Sequence, residues 1–178
     1  TTSDAKHALV CVDAFSKFAW AVPLASKHAG AITAALERMF LAEGPPITLR
    51  TDGGSDMSNA DVAALCARYD VARKVCAPYN SQCNGGIERL HLTLKTALAK
   101  HAHEWLSARG TVDWVALLPL ILFAYNTSVH ATTGFTPFYL QRSRSARPLG
   151  TMALEWRDEA AAAGPALYGD DAACDVDA

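Results

Sequence analysis

The sequence predicts an α/β domain, and three patterns support this. Short β-branched and apolar runs, amphipathic stretches with apolar residues at three- and four-residue steps, and Gly- or Pro-marked breaks alternate through residues 1–148. The segment ALVCVDAFSKFAWAVPL (8–24) reads as two strands joined by a tight polar turn, a hairpin. KHAGAITAALERMFLAEG (27–44) places Ile32, Leu36, Met39 and Phe40 on one helical face, with Gly44 and Pro45 as its stop. PPITLRTDGG (45–54) is a short strand that ends at Asp52 and breaks into two glycines, which permit a sharp turn. SNADVAALCARYD (58–70) is a second helix, capped by Ser58 or Asn59, with Val62, Leu65 and Cys66 on its apolar side. VARKVCAP (71–78) is a strand, followed by a turn-rich loop.

From Gly86 the pattern is helical again. Leu90, Leu94, Ala97 and Leu98 form a core stripe, and Glu88, His91 and Lys95 fall on a different face. DWVALLPLILFAYNTSVH (113–130) is a further helix, and ATTGFTPFYL is read as a turn-rich closing segment. Residues 149–178 turn to Ala, Gly and Asp without periodicity, and are expected to be a disordered acidic tail.

The 178 residues suffice for one domain with a sizeable core, and 51% of them are apolar. The net charge of -2 conceals an uneven distribution: residues 1–150 sum to +4 and residues 151–178 to -6. A mildly basic body permits a nucleic-acid partner without requiring one. The five cysteines form no CxxC pair and have no histidines at zinc-finger spacing, so a reduced intracellular protein is expected. No leader pattern suggests secretion, and the longest apolar run, 12 residues from Trp114 to Tyr125, is too short to span a bilayer.

Asp52 ends a strand and Glu88 opens a helix, positions that place both acids on one rim of an α/β sheet. Two such carboxylates can share hard divalent cations, magnesium or manganese, and two ions of this kind steer in-line displacement at phosphate. Taken singly each acid has a plainer reading: an Asp before Gly is a common turn residue, and the helix dipole favours a Glu in a first turn.

Three motifs, in order, decide between these readings: TDGGSDMSNADVAALC, APYNSQCNGGIERLHLTLK and LPLILFAYNTSVHATTGFTPFYL. Together they resemble the catalytic core of retroviral and LTR-retrotransposon integrases, most closely the Ty3/gypsy group, over about residues 8–142. The resemblance implies an RNase H-like mixed sheet flanked by helices. It also implies two aspartates and a glutamate as metal ligands, with about 35 residues between the second and third acids; 35 separate Asp52 from Glu88.

The family's first aspartate lies on a first strand, and VDAFSKFAWAVPL resembles the second strand and the turn into the third. The expectation is therefore a core lacking its first strand, with Asp13 a low-ranking third acid and Asp4 a poor one. An absent central strand would expose ladder groups on its neighbours and favour association. Two ligands instead of three would leave the chain catalytically poor.

The resemblance also assigns DNA contacts to Tyr79, Asn80, Gln82 and Asn84, in the loop before the glutamate, and to Lys95. An ordinary solvated loop and an ordinary surface lysine are the plain alternatives. Two departures, Ser81 where the family has Pro and Cys83 where it has a small hydroxyl residue, should loosen that loop. Arg89 matches the ER pair of the gypsy group, and a fold-supporting salt bridge is an equal reading for it. His91 is read as a surface residue, and Tyr125, Asn126 and His130 as packing and capping.

The implied activity is DNA integration: 3′-end processing and strand transfer by phosphoryl transfer, with Mg2+ or Mn2+ as cofactor. Implied partners are element ends and target DNA and a second copy of the chain, with no membrane, in the nucleus or an intracellular nucleoprotein particle. The rival is a catalytically inactive remnant or host-adopted core that binds DNA or protein.

Overall fold

The computed structural model describes residues 4–51, 54, 57, 59–75, 81–109 and 113–147, excepting the side chains of 81–84, 103–105 and 107–109. Asp52, Tyr79, Asn80 and the acidic tail lie outside these residues.

The hairpin forms as expected. Strands β1 (His7–Val12) and β2 (Ala19–Leu24) pair antiparallel in the register Val12↔Ala19 through His7↔Leu24. Asp13 builds the turn between them: its Oδ2 accepts from the backbone N–H of Phe15 (3.0 Å) and Ser16 (2.6 Å) and from the Ser16 hydroxyl (2.8 Å). Lys17 then adopts φ 63°, the left-handed region, and its N–H bonds back to the Asp13 carbonyl.

Helix α1 (Ala29–Glu43) buries Ile32, Ala35, Leu36 and Phe40. Strand β3 (Thr48–Thr51) and strand β4 (Ala72–Val75) pair in parallel around helix α2 (Ala60–Arg68). Asn59, one of the two caps expected, closes the α2 N-terminus through Oδ1, which accepts from the Val62 N–H at 2.9 Å. Helices α3 (Ser81–Arg109), α4 (Trp114–Thr127) and α5 (Pro137–Arg142) complete the described chain.

Alternation along the hairpin creates three layers. Leu9, Cys11, Val22 and Leu24 face α1 and α2, in a core that includes Leu36, Phe40, Val62, Leu65 and, from β3, Leu49. Val10, Val12 and Ala19 face the opposite side, where Leu90 and Leu94 of α3 meet Leu117 and Ile121 of α4. Burial also pushes the Cys11 thiol up to about 12, so it stays protonated at neutral pH. The mixed sheet is present as two separate ladders, β1-β2 and β3-β4; among the described residues no strand joins them.

Two elements differ from the sequence expectation. The α3 helix begins at Ser81, not at Gly86, so Gln82, Cys83, Asn84 and Gly85, expected in a loop, lie on helical backbone. Leu90 and Leu94 anchor the middle of this helix against α4 and the hairpin. Once that nucleus exists, extension through weak formers costs only about 1 kcal/mol per glycine. The closing segment, expected to be turns, contains α5, because Thr136 caps it (Oγ1 accepting from the Tyr139 N–H, 3.1 Å) and Pro137 occupies its first turn.

Gly86 is exposed on α3 with nothing within 4 Å of a built Cβ. Gly86→Ala should therefore raise stability by about 0.5–1 kcal/mol, read as a higher thermal midpoint. A lower midpoint would show that the helix is broken there.

Candidate active site

The α3 helix sorts its residues by face. Leu90 and Leu94 are 2% and 4% exposed, whereas Glu88, His91 and Lys95 are all exposed. Glu88 has no hydrogen-bond or ion-pair partner among the described residues, so its carboxylate oxygens are available to an external ligand. Packing of Leu90, one half-turn further on, fixes the backbone that carries it.

Asp52 is the residue immediately after Thr51, the last residue of β3, and itself lies outside the described residues. Thr51 is buried, and its hydroxyl lacks a hydrogen-bond partner among the described residues. Of the loop residues expected to meet DNA, Gln82 and Asn84 belong to the first turns of α3 and their side chains are not described; Tyr79 and Asn80 lie outside. Among the described residues no three His, Cys, Asp or Glu side chains stand together as a metal site. Asp13 is placed, and its carboxylate serves the hairpin turn. Among the described residues no helix is long and apolar enough to cross a membrane.

Two features of the surroundings go beyond what the sequence indicates. Asn126, expected to pack or cap, is 5% exposed and clamps α4 to β2: its Nδ2 donates to the Ala19 carbonyl (2.9 Å) and its Oδ1 accepts from the Ala19 N–H (2.8 Å). It satisfies the outward-facing groups of β2 as a neighbouring strand would. The available signal was an amide at the end of an apolar helix, since a buried amide requires partners. The other feature is a clasp at α5. Arg142 pairs with Glu43 of α1 (2.6 Å) and lies 5.4 Å from the centre of the Phe18 ring, while the Ser16 hydroxyl donates to Gln141 (3.1 Å).

The loop after α4 holds His130 rigidly: its N–H donates to the Phe135 carbonyl (3.0 Å), and its carbonyl accepts from Thr133 and Gly134. Burial, with smaller contributions from Lys17 and Arg89, lowers its basicity below the ordinary 6.5. The unfolded chain then binds the proton more readily than the fold. Stability should be present above 6.5 and fall as pH drops below it toward the depressed folded value. His130→Gln should flatten this dependence of the thermal midpoint between about pH 7.5 and 5.5, and an unchanged slope would contradict it.

Residues 2–81 match the family model described as integrase core domain. The Pol polyprotein of radiation murine leukemia virus (strain Kaplan) is 35% identical over 135 residues, which cover 75% of this chain and 22% of that polyprotein. These matches support an integrase catalytic core of retroviral or LTR type. The chain spans about a fifth of that curated relative's length. Two solved structures show that the integrase core fold extends over most of the chain. The catalytic core domain of BIV integrase aligns with a TM-score of 0.63 at 22% identity, covering 76% of this chain and 85% of that one. The HTLV-2 integrase catalytic core domain, in complex with magnesium in a trimeric form, aligns with a TM-score of 0.61 at 19% identity, covering 75% and 82%. The fold expected from the sequence, an RNase H-like integrase core, is the fold observed.

Proposed function

We propose that this integrase core, from a Ty3/gypsy-like or retroviral element, joins DNA ends to target DNA by metal-dependent phosphoryl transfer, with Asp52 and Glu88 as ligands. The observation that carries this reading is the exposed Glu88, without a partner among the described residues, on an α3 face opposite its core stripe. Thirty-five residues separate it from an aspartate that directly follows β3. The donor chemistry fits a hard divalent cation, because both residues offer carboxylate oxygens and no described side chain competes for Glu88. Magnesium or manganese there would supply Lewis-acid stabilisation of phosphate oxygens.

The chain's own residues do the rest. Glu88 is held in place by the Leu90 and Leu94 anchor, and Thr51, the residue before Asp52, ends a paired strand. Lys95 lies two turns beyond Glu88 and would meet a DNA phosphate, with Tyr79, Asn80, Gln82 and Asn84 positioning the strand. The attacking groups are water and then a DNA 3′ hydroxyl, so no protein nucleophile is needed.

A third carboxylate is not supplied by Asp13, whose Oδ2 is engaged by three donors in the turn. A strand carrying an aspartate between β1 and β3 would both join the two ladders and complete the ligand set. The same observation favours one alternative, in which these residues act as a DNA- or protein-binding module without chemistry. Assembly with further copies, and work in the nucleus or a nucleoprotein particle, belong to the same proposal. Residues 1–148 would form the core domain and 149–178 a separate acidic tail.

Strand transfer of a labelled element-end duplex in Mn2+ separates the readings. Product that disappears with EDTA supports the enzyme; duplex binding with no product in any length of chain containing these residues supports the module.

A further inference from the structure

Two buried polar atoms lack hydrogen-bond partners among the described residues at one place in the fold: Nε1 of Trp20, on β2, and Oε2 of Glu43, the last residue of α1. Both side chains line one groove of about 240 Å3 between β2 and α1, whose apolar wall is formed by Val22, Ala35, Met39 and Ala42. Glu43 gives its other oxygen, Oε1, to Arg142 of α5 (2.6 Å). A buried N–H and a buried carboxylate oxygen without partners both cost stability, so the groove calls for an occupant that offers an acceptor and a donor.

The strand side of the groove is open in the same sense. Ala19 turns its N–H and C=O away from β1, toward Asn126, and backbone direction repeats every two residues along a strand. Ala21 therefore points its N–H and C=O to the same outer edge, beside the groove that it lines, and neither has a partner there among the described residues. Pro23, the next outward position, has no N–H to offer. This edge suits one short added strand rather than a long ladder.

The chain that follows α5 carries the matching pattern. The Arg142–Glu43 pair ties α5 to the groove wall, the described residues end soon after, at Arg147, and residues 148–178 follow. Against the aperiodic remainder of that tail, TMALEWR (151–157) alternates Met152, Leu154 and Trp156 with Thr151, Ala153, Glu155 and Arg157, the period of a strand with one apolar face. Charge agrees with this: residues 151–178 sum to -6, and the groove is also lined by Arg38, which is exposed, donates from Nε to the Ala34 carbonyl (3.3 Å) and has no acidic partner among the described residues. We infer that residues 151–157 of this chain dock in the groove as a strand added to the outer edge of β2. Met152, Leu154 and Trp156 enter the apolar side, main-chain carbonyls accept from Ala21 and Trp20 Nε1, and the Trp156 indole N–H donates to Glu43 Oε2. The inference goes beyond the integrase reading and needs neither metal nor DNA.

The test is hydrogen exchange followed by NMR on the full chain, in EDTA and without DNA. The Ala21 amide and the Trp20 indole proton should exchange more slowly, by about tenfold or more, than in a Leu154→Asp/Trp156→Asp variant, which leaves the core sequence unaltered. A Leu167→Asp control, in the same tail but outside the alternating run, should keep the slow rates. Both rates should be independent of protein concentration, because the added strand comes from the same chain. Equal rates in the unsubstituted chain and the double variant would overturn the inference, whether both are fast, with the edge open, or both slow, with water or another element on it. Protection that rises with concentration would assign the edge to a second copy and overturn it as well. Glu88→Gln should leave both rates unchanged, so a failed metal assignment and a failed docking site give different results.

Discussion

Glu88→Gln should abolish metal-dependent DNA joining, lowering the rate by about 10³-fold or more, because a ligated cation contributes several kcal/mol to such a transition state and each 1.36 kcal/mol is tenfold. Thermal stability should be unaffected, since Glu88 is exposed and holds no other part of the described fold. Glutamine keeps the size and polarity of the side chain while removing the charge that a divalent ion needs. The measurement is strand transfer in Mn2+ by whatever length of chain is active, alongside a melting curve. Retained joining would remove Glu88 from the ligand set. Lost joining with a lowered melting point would instead assign the residue a structural role.

Asn126→Leu should destabilise the fold strongly, more than any exchange at an exposed position. It removes both hydrogen bonds of the buried α4–β2 clamp and leaves the Ala19 N–H and C=O without partners. Each such group costs about 1–3 kcal/mol when buried, so a loss of about 2–4 kcal/mol is expected. For a chain of this size that corresponds to a fall in melting temperature of about 5 to 15 °C. The loss should appear with no change in the metal affinity of the folded fraction. A shift within about 2 °C would mean that water replaces the amide, and that β2 does not depend on α4 for its outer edge.

The core was legible because burial imposes a period. Ile32, Leu36 and Phe40, and later Leu90 and Leu94, announce their helices by spacing alone, and all five are buried as that spacing requires. The Asn59 cap was readable for a similar reason, since one residue type serves one local geometry. The start of α3 was not, because the Asn-Gly-Gly run carries the chemistry of a turn while the anchor that overrides it lies further along the helix, at Leu90. Nor was α5: Thr136 and Pro137 do mark a helix start, but the segment that follows is six residues long and lacks a stripe.

For the site, the sequence supplied residue identities and the fold supplied their surroundings. The glutamate's face could be read from Leu90 and Leu94, and the exposure of Glu88 agrees with it. The setting of Asp13 could not be, because an Asp in a strand-to-strand turn looks alike whether it faces a metal or its own backbone. Only the three donors on its Oδ2 place it in the turn. Arg89 was similarly ambiguous between ion pair and ligand contact; it is exposed and makes no ion pair among the described residues.

If Asp52 and Glu88 share a divalent cation, direct Mn2+ binding detects it without requiring turnover. Manganese titration followed by electron paramagnetic resonance should show a bound population in the native chain that is lost in Asp52→Asn and in Glu88→Gln alike. The double variant should be no worse than either single one, because the two acids act as a unit. Equal Mn2+ affinity in all four proteins would contradict the account, and the binding-module reading would then take its place.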